Sequence, residues 1–368
     1  MISSIIVFAL ATYGVSRVKV PPAYRNIARV NFVMFVILAI GFSALTEDAS
    51  GGVDSLKFYQ RGPIALDAGF ESLFQADLMY FLSGAIQFSA PISYTAFNLV
   101  GAIVFSYLGL VIIMRMAPVP DRKTILLWWF FTILPGVHFW NASFGKESLQ
   151  LLAIASFFGL KKLPLRLFAL LVLLMVRPHI ALVLVAAELA RIMLSRKSKG
   201  DFLVLLVAVV VAFYGLSYLV TRLGGTELSF EVMLRLFAEF GEEWRSSSLR
   251  LNDTSSILAY PDFFLRPYPA EIASWAHWAT FIEALVVLVF LGWTLFASRI
   301  TARQFSPWLF LVLLILLLPL INPNVGTAAR KKQLLPVAGL ILVAAGSRQR
   351  RRKDEPRVLF QQTATTPS

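Results

Sequence analysis

The feature that most restricts this chain is a succession of apolar stretches nearly free of charge, which leaves little room for a soluble architecture. They fall at 1–16, 30–46, 91–114, 124–138, 147–160, 167–176, 180–194, 202–220, 272–296, 306–321 and 334–346. A helix needs roughly 20 apolar residues to cross the ~30 Å hydrocarbon layer. The expected fold is therefore all-α, a polytopic integral membrane protein of about eleven transmembrane or half-membrane helices, with interfacial amphipathic helices between some of them. Composition agrees, with 58% hydrophobic and 15% charged residues, outside the averages of soluble domains. The stretches 147–160 and 167–176 are too short to span, which predicts tilted or broken helices whose irregular backbone lines a cavity. The first stretch resembles the apolar region of a signal peptide, but no basic residue precedes it and no small-residue cleavage pattern follows, so it reads as a membrane helix.

Charge sets the expected orientation. Of the 34 Lys and Arg residues, 22 fall at alternate connections: 17–29, 115–123, 161–166, 191–199, 299–303 and 348–357. The positive-inside rule makes these sides cytoplasmic, so the N-terminus lies outside and the C-terminus inside. The opposite connections hold the other 12 basic residues and 15 of the 21 acids. The net charge of +13 is then a property of the inner face and does not imply nucleic acid. Residues 1–347 form one transmembrane domain, and 348–368 a basic cytoplasmic tail read as disordered. Two outer loops are long, 47–90 and 221–271. Their stretches Phe70 to Phe88 and Phe230 to Phe240 are amphipathic and would lie along the interface with Phe, Leu and Met toward lipid. With no cysteine, disulfides and thiolate chemistry are excluded, and nothing in the pattern indicates a metal or other cofactor.

Several polar groups gather on the outer side. LTEDASGGVDSLKFYQRG places Glu47, Asp48 and Asp54 just past a membrane helix, where a carboxylate could act as general base toward a sugar hydroxyl or simply cap a turn around Gly51-Gly52. LPGVHFWNASFGKESL breaks a helix at Pro135-Gly136 and then offers His138, Trp140, Asn141 and Lys146 for a phosphate or a sugar. The bland alternative there is an aromatic belt with Ser148 capping the next helix. MVRPHIALV puts Arg177 and His179 around Pro178 between two short apolar stretches. Ionisable groups at such depth are costly, and Arg suits bidentate capture of a diphosphate. FFLRPYPAEIASWAHW holds Arg266 between aromatics and prolines and leads to His277. NPNVGTAARKKQLLP places Arg330, Lys331 and Lys332 outside, against the charge trend, so an anionic partner is expected. Glu188 and Glu283 lie inside apolar segments and supply candidates for an ion-coupled pathway.

The stretch GFESLFQADLMYFLSGAIQFSAPISYTAFNLVGAIVF, preceded by DSLKFY and followed by HFWNASFGKESL, RPH and FLRPYP, resembles bacterial exopolysaccharide and O-antigen repeat-unit polymerases of the EpsG/Wzy type and related multi-spanning lipid-dependent glycosyltransferases. The resemblance implies an enzyme of the bacterial inner membrane that transfers or polymerises sugars from polyprenyl phosphate or diphosphate carriers at its outer face. Its partners would be the lipid-linked glycan, membrane lipid and other polysaccharide-assembly proteins. Matching positions for the family's outer Arg, His and acidic residues are Arg177, His179, Lys146, Arg266, Glu47, Asp48 and Asp54. On this reading Glu47, Asp48, Asp54 and His179 are candidate catalytic residues, and His138, Trp140, Asn141, Lys146, Arg177, Arg266, His277, Arg330, Lys331 and Lys332 candidate binding residues. A polytopic transporter or lipid-linked glycan flippase is the alternative, which would need polar residues running through the core.

Overall fold

The structure is a computed structural model that describes residues 2–47, 54–68, 76–194, 259–272, 274–297, 301, 304–319 and 325–354. Among these the chain is entirely helical, with no strand. In chain order the helices are α1 (Ile2–Ser16), α2 (Arg25–Thr46), α3 (Asp54–Ala68), α4 (Ala76–Ser89), α5 (Tyr94–Met116), α6 (Arg122–Thr132), α7 (Pro135–Asn141), α8 (Lys146–Gly159), α9 (Leu163–Val176) and α10 (Pro178–Leu194). After the interval 195–258 follow α11 (Ala259–Leu265), α12 (Trp275–Ala297), α13 (Phe305–Leu317), α14 (Val325–Lys332) and α15 (Leu334–Asp354). The expected segment 202–220, the outer-loop stretch Phe230 to Phe240, and Asp48 lie outside the described residues.

Among the described residues three helices are long and apolar enough to cross a membrane: Pro22–Thr46, Tyr94–Met116 and His277–Phe296. Helices α9 and α13 are apolar but have 14 and 13 residues, about 20 Å of rise, less than the hydrocarbon thickness. Around the bundle, Ile37, Ile40, Phe168, Ile282, Val289 and Phe296 point outward and exposed, a dress suited to lipid. Inside, one continuous apolar core joins α2, α5, α6, α8, α10, α12, α13 and α15.

The α5–α8 contact is close because both backbones can approach. A Cβ on Gly101 would collide with the main chain of Phe144, and one on Gly109 with Leu151. Small residues serve this purpose between membrane helices, where van der Waals packing drives association. Gly101 also opens a π-helical stretch, Gly101–Tyr107, in the middle of α5, an irregularity often found beside functional sites. Polar side chains fix the turn that follows α7. Asn98 Nδ2 donates to Ser43 Oγ (2.9 Å), its Oδ1 accepts from Phe144 N (3.1 Å), and Ser106 Oγ donates to the Asn141 carbonyl (2.6 Å).

Two expectations need correction. The described part of the stretch Phe70 to Phe88, from Ala76 on, does not turn its apolar face only to lipid. Helix α4 packs on α3 as a hairpin and buries Leu78 and Met79 with Leu56, Phe58, Phe97 and Phe144, leaving Phe88 exposed. Helix α3 is absent from the sequence reading because Gly51-Gly52 and Pro63 look like turn and breaker signals. The second correction is at the C-terminus, where α15 continues past residue 347 to Asp354, into the segment read as tail.

Candidate functional site

Three helix starts meet at one end of the bundle. Two of them begin at a break that proline or glycine chemistry dictates. Pro178 lacks an N–H and disfavours helical backbone at the residue before it, so α9 ends at Val176 and Arg177 alone links it to α10. Gly145 precedes α8, whose first turn is tied by Gly145 N donating to Ser148 Oγ (3.2 Å) and Ser148 Oγ donating to the Gly145 carbonyl (2.9 Å). Gln333 alone separates α14 from α15.

Between these starts lies an open cleft. Its rim carries Glu147, Arg177, Arg330 and Lys331. Arg177 Nη2 lies 2.7 Å from Glu147 Oε1, and Arg330 Nη1 lies 2.9 Å from Asp54 Oδ2 and 4.0 Å from Glu147 Oε1. The Arg330 guanidinium stacks over Trp140 at 4.7 Å, which orients its fork. Lys146 and Lys331 sit within the same electrostatic group, and neither forms an ion pair among the described residues. Four basic side chains thus face two carboxylates, an excess of two positive charges when all four are protonated.

The charges govern one another. Burial works to raise the Asp54 carboxyl, but the nearby Arg330, Lys146 and Arg177 outweigh it and hold the group below the usual carboxylate range. Burial, then the charge of Arg177, brings Lys331 down to about 7 and Lys146 down to about 8, despite Glu147 acting the other way on both. Three buried polar atoms of residues lining the cleft have no hydrogen-bond partner: Arg177 Nε, His179 Nε2 and Gln333 Oε1. Buried polar groups are normally satisfied, so three such atoms in one cleft make it the candidate ligand site.

The cleft gathers many of the expected site residues and leaves others elsewhere. Arg177, His179, Asn141, Arg330 and Lys331 line it, while Asp54, Lys146 and Trp140 support its rim. His138 is buried in the core, with Nε2 2.7 Å from Asn31 Oδ1 and Nδ1 3.0 Å from the Leu134 carbonyl, and Asn31 Nδ2 donates to Thr132 Oγ1 (2.8 Å). It joins α2 to the α6–α7 turn and is not among the residues that line the cleft. Glu47 is exposed at the end of α2, and His277 lies at the start of α12, where its N–H donates to Ser274 Oγ (3.3 Å). Arg266 belongs to a neighbouring cluster, where Nη2 meets Glu271 Oε1 (3.2 Å) and Tyr268 OH donates to Asp262 Oδ1 (2.7 Å). Lys332 points there too and donates to the carbonyls of Phe264 (3.3 Å) and Arg266 (3.2 Å).

The two acids inside apolar segments have structural partners. Glu188 is clasped by Arg166 and Arg191 (2.9 Å each) at the far end of α9, about 16 Å from Arg177. Glu283 Oε1 accepts from Gly136 N (2.9 Å) at the start of α7. Sequence reading missed Gln150 and Gln333, both buried and both lining the cleft. A signal existed for each: Gln150 stands three residues after Glu147 on the same helix face, and Gln333 follows the Arg-Lys-Lys run at the helix break. No group of three or more Asp, Glu or His is placed to hold a metal among the described residues. Comparison of the chain with protein-family models, curated proteins and solved structures gives no match.

Proposed function

We propose that this chain is a membrane glycosyltransferase or polysaccharide polymerase that takes sugars from a polyprenyl phosphate or diphosphate carrier at the outer face of the inner membrane. The observation that carries the reading is the excess of two positive charges around a cleft whose Arg177 Nε has no partner. Such a site favours a phosphoryl anion, and Arg177 and Arg330 can each give a fork of donors to it. Its place at the end of the apolar 14-residue helix α9 supports a site reached from the lipid, where a carrier could enter from the side.

In the reaction, the acceptor hydroxyl oxygen bonds to the anomeric carbon of the donor sugar as that carbon's bond to the phosphoryl oxygen breaks. The bonding pair leaves with the phosphate, where Arg177, Arg330 and Lys331 stabilise the developing charge. His179 Nε2, unpartnered in the cleft, receives the acceptor's proton. Asp54 and Glu147 hold the arginines in position rather than serving as bases, since each is already an ion-pair acceptor.

Transport is less well supported, because Glu188 and Glu283 are both engaged in local structure. The test uses purified protein in lipid nanodiscs with a polyprenyl diphosphate hexose as donor. Glycan formation should fall by at least a hundredfold in Arg177→Gln and in His179→Phe, and polyprenyl diphosphate should bind while the parent polyprenol does not. Undiminished glycan formation by both variants at normal protein levels, or equal retention of alcohol and diphosphate, refutes the reading.

A further inference from the structure

The three walls of the cleft change character in the same order. Helices α8, α10 and α15 all start at this end of the bundle and run away from it, so later residues lie deeper. Along α8 the lining runs Glu147, Gln150, Leu151; at the α9–α10 break, Arg177, His179, Ile180; at the α14–α15 break, Lys331, Gln333, Leu334. A charged rim is followed by an uncharged polar layer and then by an apolar floor.

The middle layer is the unexplained part. Gln150 is 9% exposed and Gln333 6%, and Gln333 Oε1 has no partner within the protein. A buried carboxamide without its bonds is costly, and an apolar residue would suit this depth better unless a ligand group completes the layer. That group must be polar without being charged, since nothing at this level would neutralise a charge. It must also be able to donate to Gln333 Oε1. A hydroxyl does this while accepting from a second amide.

Resting on the functional reading above, we infer that Gln333 and Gln150 form a specificity subsite for hydroxyl groups of an uncharged sugar whose phosphoryl group sits at the charged rim. The two amides discriminate among ligands and do not take part in bond breaking. A sugar phosphate headgroup and a glycerol phosphate headgroup share the chemistry of a hydroxyl near a phosphoryl group, and the rim alone accepts either. The depth of the amide layer, beyond the rim by about one helical turn, favours the ring of a sugar over a short glycerol arm.

Binding to nanodiscs separates the possibilities, with three probes: a short-chain polyprenyl diphosphate, the same lipid carrying one neutral hexose, and phosphatidylglycerol. Gln333→Met keeps the length of the side chain and removes its amide, and Gln150→Met does the same on the facing wall. Each variant should bind the hexosyl lipid about tenfold more weakly than the native protein, the loss expected for one neutral hydrogen bond. Affinity for the bare diphosphate lipid should be unchanged, which also shows that the variant is folded. Unchanged affinity for the hexosyl lipid in both variants overturns the subsite while leaving the anion site standing, and weakened binding of phosphatidylglycerol alone assigns the layer to glycerol and overturns it too. Failure of the native protein to bind either polyprenyl lipid overturns the functional reading and the subsite with it.

Discussion

Replacing Arg177 by Met tests how the charged rim is held together. The substitution keeps most of the buried stem but removes the cation 2.7 Å from Glu147. Glu147 then retains one ion pair, to Arg330 at 4.0 Å, with Lys146 and Lys331 acting from farther off. Removing one partner of a fully buried pair costs about 3–5 kcal/mol. Here both side chains are 17% exposed and Arg330 remains, so the cost works out at about 2–3 kcal/mol. At roughly 2 °C per kcal/mol for a chain of this length, the melting temperature in mild detergent should fall by ~5 °C, read from tryptophan fluorescence. Adding Glu147→Gln removes the stranded carboxylate. The double variant should recover most of the lost stability, yet still fail to bind a diphosphate lipid, because both lost groups shape the anion site. A single variant as stable as the native protein, or a double variant less stable than the single, would refute the idea that the pair is a structural unit of the rim.

Two further outcomes follow from the geometry. With Lys331 near 7 and Lys146 near 8, the folded protein binds fewer protons than the unfolded chain up to about pH 10.4, so stability rises with pH across that window. Affinity for a diphosphate diester moves the other way and should drop tenfold or more from pH 6 to pH 9 as both ammonium groups discharge, so a flat binding profile by titration would count against their role. Gly101→Val drives a side chain into the main chain of Phe144, with an expected loss of about 2 kcal/mol in thermal denaturation, and it should also weaken anion binding because Phe144 leads directly to Lys146.

Helix content was legible because apolar length is the strongest signal a membrane chain gives. Arg177 and the Arg330–Lys331 pair were legible for a related reason: charges next to apolar stretches are expensive and therefore conspicuous. Position within the fold was not. His138 reads as a ligand in HFWN, yet its ring completes a hydrogen-bonded set with Asn31, a residue 107 positions earlier, and no local pattern encodes that. Arg266 and Lys332 look like cleft cations in sequence, but Glu271, Asp262 and two main-chain carbonyls nearby claim them. Glutamines drew no notice because an uncharged amide costs little at a helix start and becomes informative only when its burial is known.

Helix α9 is anchored twice, by Arg177 to Glu147 at one end and by Arg166 to Glu188 at the other. A rod clamped at both ends can neither slide along its axis nor roll without breaking a shielded ion pair. Both ends of the wall it supports are therefore held by ion pairs. The opposite wall is α14, an eight-residue helix fastened through Arg330 to Asp54 and through Lys332 to the main chain of residues 264 and 266. Its fastenings, to Asp54, Glu147, Trp140 and that main chain, lie on separate elements, so one short helix ties several parts of the bundle together at the cleft.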